Sequence, residues 1–129
     1  MLRTFLRSKI HRATVTESNV DYVGSLSLDE EILEMAGLSE YEQVLVADLE
    51  RGERLWTYVI RAERGSRTVG MNGPAALKIP TGVKIIVFAY AQLAEHELEG
   101  FRPRIVFVDE ANNPVIGTAQ EEHAQVFTP

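Results

Sequence analysis

The sequence predicts a mainly β protein, barrel-like rather than a parallel α/β sheet, with small peripheral helices. Short runs rich in β-branched and apolar residues are separated by turn signals such as Glu50-Arg51-Gly52-Glu53 and Ile79-Pro80-Thr81-Gly82. Only two stretches carry helical signals, and both are short. No strand alternates regularly with a long amphipathic helix, as a parallel sheet would require. The 129 residues suffice for one sizeable core, so residues 1–129 are read as a single domain.

Lys9 to Thr16 alternates and is β-branched, which suits a strand. With period two, Lys9, His11, Ala13 and Val15 share one face, and Ile10, Arg12 and Thr14 the other. Glu17 to Asp21 is polar and reads as a connection. Tyr22 to Leu28 resumes as a short extended segment interrupted by Gly24-Ser25. Ser27 to Glu30 has capping-box spacing, although Asp29 can itself be the cap. Ile32, Leu33 and Ala36 then form a helical stripe of about two turns, and Gly37 stops it.

Gln43 to Leu49 and Arg54 to Ala62 form a hairpin about the turn at 50–53. Arg54, Trp56, Tyr58 and Ile60 share a face, with Arg54 and Tyr58 roughly 13 Å apart, a span that can frame a small ligand. Thr57 falls on the opposite face, so a twist or bulge is expected if Thr57 and Tyr58 serve one pocket. Glu63 to Gly73 is glycine-rich and fails as a phosphate loop, because Met71-Asn72 stands where Lys-Ser or Lys-Thr is needed. Pro74 suits the first turn of a short helix. Lys84 to Leu93 is the most apolar strand, Arg104 to Asp109 the last, and about 118–129 is read as a weakly structured tail.

Composition narrows the function. A net charge of −6 argues against nucleic acid as the main partner. Arg3, Arg7, Lys9 and Arg12 nevertheless make the start basic, whereas Asp29 to Glu53 holds nine acids and Arg51 as its one base. That asymmetry suits either a small anionic ligand or mutually attractive faces between subunits. With no cysteine, disulfides and thiol catalysis are excluded. His96 and His123 show no metal-ligand spacing, so no metal is expected. The apolar run Ile85 to Ala91 is too short for a bilayer, and charge breaks up the start before a secretory segment forms. The chain is read as soluble, cytoplasmic and without a membrane partner.

Gly24-Ser25 has a chemistry of its own. Glycine leaves its carbonyl uncrowded, so the Ser25 hydroxyl can attack it and convert the amide to an ester. Elimination from that ester leaves dehydroalanine, which hydrolyses to a pyruvoyl group. A Gly-Ser pair alone is more often a turn. Here it stands as Tyr22-Val23-Gly24-Ser25, with Lys9 and His11 upstream and Arg54-Leu55-Trp56-Thr57-Tyr58, Glu63-Arg64-Gly65-Ser66 and Asn72-Gly73 downstream. In these residues the chain resembles the pyruvoyl-dependent aspartate 1-decarboxylases, from Met1 to about Pro114.

The resemblance implies a double-psi β-barrel in a homotetramer, with each active site between neighbouring subunits. It implies self-cleavage into a β chain (1–24) and an α chain (25–129), either spontaneous or assisted by a maturation factor, and a covalent pyruvoyl group from Ser25 in place of pyridoxal phosphate. That group forms a Schiff base with L-aspartate, which loses CO2 to become β-alanine for pantothenate synthesis. By the same resemblance Lys9 and Arg54 hold the substrate carboxylates, Tyr58 donates the proton to Cα, and Thr57 polarises the Gly24 carbonyl and lines the substrate site. Asn72, Gly73, Pro74 and Ala75 close round the substrate, and His11 and Tyr22 support the pyruvoyl region. Family members commonly have alanine where this chain has Pro74, whose ring removes a backbone donor. The rival readings are an uncleaved double-psi barrel that binds an acidic ligand as an adaptor, and a structural homo-oligomer in which Gly24-Ser25 is a bend.

Overall fold

A computed structural model describes residues 1–115, 121–123 and 125–128. Its strands are β1 (Leu2–Thr14), β2 (Glu17–Asn19), β3 (Ser25–Asp29), β4 (Gln43–Asp48), β5 (Arg54–Ala62), β6 (Val69–Asn72), β7 (Lys84–Ala94), β8 (Arg104–Val108) and β9 (Pro114–Val115). Helix α1 (Glu30–Ala36) and 3-10 turns at Gly73–Leu77 and Glu95–Glu97 complete the elements. The strands join in the order β2-β6-β3-β5-β4-β7-β1-β8-β9. Pairing is mostly antiparallel, but β1/β8, β2/β6 and β3/β5 run parallel. Backbone bonds from Thr16 to Val69 (2.8 Å) and from Val15 to Val83 (2.9 Å) tie the end of β1 to the starts of β6 and β7, so the sheet curls back on itself. The mainly β expectation is met.

The core follows the strand period. Leu26 and Leu28 on β3, Val44 and Val46 on β4, Val69 and Met71 on β6, and Ile85 and Val87 on β7 are all buried at alternate positions. Ile32 and Ala36 of α1 join them. Each fully buried Leu, Ile or Val side chain contributes about 1.5–3 kcal/mol.

Several elements depart from the sequence reading. β1 begins at Leu2, because it pairs with β7 from Leu2↔Ala94 to Thr14↔Lys84. A register shift between His11 and Ala13, with Arg12 at φ 68°, breaks the simple alternation. Ala13 and Val15 are therefore buried like Ile10, rather than sharing the outward face of Lys9 and His11. Residues 17–19 form β2 rather than a plain connection, and Val69–Asn72, inside the expected glycine-rich loop, forms β6. β2 forms against β6 in parallel and β6 against β3 in antiparallel, so distant partners stabilise segments too short to show a pattern. Of the expected tail, residues 118–120, 124 and 129 lie outside the described residues. The described tail residues include no strand or helix, yet Phe127 stacks on Phe107 at 4.6 Å between ring centroids.

Asp29 fixes one end of β3. It caps α1 by accepting from Glu31 N (2.9 Å), and the same oxygen accepts from Gly65 N (3.0 Å). Its other oxygen accepts from Arg67 N (2.7 Å) and Arg67 Nη1 (3.1 Å). Burial on its own raises the pKa of this carboxyl, but the N–H groups of Arg67, Glu31 and Gly65 and the Arg67 guanidinium outweigh it, so the group lies below its ordinary value. A carboxylate lowered in this way stabilises the fold above its unfolded pKa of about 3.9, and the contribution is lost as pH falls through the lower folded value. Asp29→Asn is accordingly expected to cost about 2 kcal/mol in denaturant unfolding at pH 7 and to flatten the loss of stability on acidification below about pH 4. An unchanged acid limb in the variant would show that other carboxylates carry that loss.

Candidate active site

The antiparallel register of β3 and β6 sets Ser25 directly opposite Asn72. Side chains of an opposed pair share one face, and a diagonal neighbour two residues along lies within reach. Asn72 uses both relations. Its Nδ2 donates to Ser25 Oγ at 2.9 Å and to Ser27 Oγ at 2.8 Å. Ser25 and Asn72 are both buried, and Asn72 Oδ1 is buried without a hydrogen-bond partner. The Ser25 hydroxyl donates weakly to Val23 O at 3.4 Å.

Thr57 and Tyr58 reach the same place from β5. This strand pairs with β4 through Tyr58 and with β3 from Val59 onward. Carried back from Leu26↔Val59, the parallel register sets Ser25 level with Tyr58 and Gly24 level with Thr57. β5 is thus an open edge beside Gly24-Ser25, and side chains from both its faces can border the opening. Neither pairing of β5 carries a register shift, so the strand has no bulge here, and its open edge lets both side chains border the cavity. Gly24, Ser25, Thr57, Tyr58, Asn72, Pro74 and Ala75 line one cavity of about 340 Å³, together with Leu55, Trp56 and Lys78.

Two glycines let the loops meet. Gly73 has φ +67°, and a Cβ there would stand 2.7 Å from Gly24 Cα and 3.0 Å from Gly24 N. Only glycine allows that approach. Pro74 is exposed, and its ring lies where a Cβ on Gly24 would meet Pro74 Cδ at 3.4 Å. The proline that removes a backbone donor therefore packs against the Gly24-Ser25 segment.

The other expected residues stand apart from this cavity. Arg54 is exposed at the start of β5, and Tyr22 is exposed in the turn before Gly24. Lys9 and His11 do share a face, as expected, but line a separate recess with Phe107, Glu121 and Phe127. Lys9 Nζ is 3.1 Å from Glu121 and lies 5.8 Å from the centre of the Phe88 ring. Burial, then the charges of Lys9 and Arg12, push the His11 pKa down against the opposing pull of Glu121. Ser27, Leu55 and Lys78 are not among the site residues that the sequence suggests. Ser27 follows Ser25 by two and so shares its strand face, the one signal that could have pointed to it.

The aspartate decarboxylase family model matches residues 1–115. Aspartate 1-decarboxylase of Caldicellulosiruptor saccharolyticus is 50% identical, with 97% of this chain and 98% of that protein covered. The proteins of the same name from Desulfitobacterium hafniense and Clostridium kluyveri are 47% and 45% identical, over 97% and 98% of this chain and 98% and 99% of their own lengths. A buried serine after glycine, capped by an asparagine amide and flanked by Thr57 and Tyr58, thus occurs in a chain that belongs to the aspartate decarboxylase family.

Proposed function

We propose that this chain is a self-processing lyase that converts L-aspartate to β-alanine and CO2 in the cytoplasm, for pantothenate synthesis. The observation that carries the reading is the Asn72 amide on Ser25 Oγ, in the cavity that Gly24, Thr57 and Tyr58 also line. In the first step the Ser25 hydroxyl adds to the Gly24 carbonyl carbon. The C–N bond breaks, and the hydroxyl proton passes to the released nitrogen of residue 25. Thr57 polarises the Gly24 carbonyl, on whose oxygen the charge develops, and the Asn72 N–H holds Ser25 Oγ in its rotamer. Loss of the Ser25 α-proton and of the Gly24 carboxylate then leaves dehydroalanine, and water replaces its nitrogen as ammonia.

The surroundings of residue 25 fit the resulting pyruvoyl group. The Gly24 side is open to the cavity, and Asn72 Oδ1 has acceptor capacity left for an N–H brought there. Once formed, the pyruvoyl group supplies the electron sink that decarboxylation at an amino-acid Cα requires. The chain's own residues do the rest. Arg54 holds a substrate carboxylate with its planar fork, and Lys9 adds a second positive charge. Tyr58 gives its hydroxyl proton to Cα after CO2 departs. Gly73, Pro74 and Ala75 wall the substrate, while His11 and Tyr22 support the group from outside.

Lys9 and His11 line a recess of their own within one chain, which favours a homotetramer in which a neighbour's β1 completes the site. A maturation factor can assist the cleavage without altering this chemistry.

Mass spectrometry under denaturing conditions should find chains 1–24 and 25–129, the second carrying a ketone that reacts with hydrazine. Ser25→Ala should give one uncut chain without activity. An active wild type that is whole and unreactive to hydrazine overturns the reading, and an inactive uncut one favours the adaptor. Arg54→Ala should be cut normally yet lose aspartate turnover by about tenfold to a hundredfold at low substrate, the worth of a charge-assisted hydrogen bond. Full turnover in that variant would remove Arg54 from the substrate site.

A further inference from the structure

We propose that Ser27 is a positioning residue for the cleavage at Gly24-Ser25, acting through Asn72; this rests on the self-processing reading above. Asn72 has two amide hydrogens, and Ser27 Oγ takes one at 2.8 Å while Ser25 Oγ takes the other at 2.9 Å. The carbonyl end gives no anchorage, because Asn72 Oδ1 is buried without a donor. The orientation of the amide therefore depends on the two serines, and Ser25 is the group that reacts. Ser27 is the partner that stays in place while the Ser25 oxygen moves onto carbon.

The strand geometry makes this contact possible. Ser27 stands opposite Gly70 in the antiparallel ladder. Gly70 offers no side chain there, and a Cβ added to it would come within 3.3 Å of Ser27 Cβ and 2.9 Å of Glu17 Oε1. The Ser27 hydroxyl accordingly turns along the diagonal to Asn72. Without it, one Asn72 hydrogen joins Oδ1 as a second buried unsatisfied group, and the amide gains by turning away from Ser25. The reacting oxygen then loses the donor that holds its rotamer. Its remaining contact is the 3.4 Å one to Val23 O.

The test follows cleavage of freshly synthesised full-length chain by intact mass against time. Ser27→Ala should slow cleavage about two- to tenfold, the worth of one hydrogen bond, and Ser27→Thr, which restores the hydroxyl, should cut near the wild-type rate. Because Ser27 acts through Asn72, adding Ser27→Ala to Asn72→Ala should slow cleavage no further. A general loss of packing would instead multiply the two effects. Wild-type cleavage by Ser27→Ala, multiplied effects in the double variant, or a Ser27→Thr as slow as the alanine variant would each overturn the role of Ser27 while leaving self-processing intact. A wild type that is never cut overturns the self-processing reading, and this inference with it.

Discussion

The structure depends on the register of β3 against β6, and that register is held at its far end by one carboxylate. Asp29 accepts four hydrogen bonds, from Glu31, Gly65 and Arg67, so the start of α1 and the loop leading into β6 converge on a single buried group. The Asp29 N–H also donates to Thr68 O at 3.0 Å. From there the ladder runs through Leu28↔Val69 to Ser25↔Asn72. A slip of one residue would turn Ser25 and Ser27 into the core and Leu26 and Leu28 out of it. Burial of those leucines and the bonding of Asp29 therefore enforce the same alignment, and the Ser25–Asn72 contact follows from it.

The opening beside Gly24 arises from how β5 divides its partners. Its first half pairs with β4 and its second half with β3, which leaves the edge at Thr57 and Tyr58 uncovered where β3 begins. Backbone donors and acceptors along an uncovered edge are normally met by water or loops. Here the edge borders the cavity that holds the Gly24-Ser25 bond, with Gly73 pressed against the Gly24 backbone from the other side. The bond is thus confined but reachable.

What could be read from the sequence were the features carried by local rules. The β4/β5 hairpin and the α1 boundaries follow from alternation, the Asp29 cap and Gly37 in the left-handed conformation at φ 68°. β2, β6 and the bulge at Arg12 were not legible, because each exists through pairing with a distant strand and leaves almost no periodic trace. The site divides in the same way. Ser25, Thr57, Tyr58 and Asn72 came from matching a family pattern, and the structure brings them to one cavity. Ser27 reads locally as a candidate cap of α1, because its partner in the site lies 45 residues away and no short spacing announces such a contact.

Lys9 and the Gly24-Ser25 bond belong to different stages of the proposed chemistry, and the fold of one chain treats them differently. Breaking the bond requires groups within hydrogen-bond reach of it, and β3, β5 and β6 bring Ser25, Thr57 and Asn72 to one cavity without help from another copy. Binding aspartate requires cations, because two carboxylates entering a largely apolar cavity must exchange their water for fixed positive charge. Lys9 instead faces Glu121 across a separate recess. On the proposed reading, cleavage is set up by the folding of a single chain, whereas substrate binding waits for a neighbour whose Lys9 exchanges Glu121 for the carboxylate of aspartate. A reactive ketone would then meet its full set of cations only in the assembled oligomer.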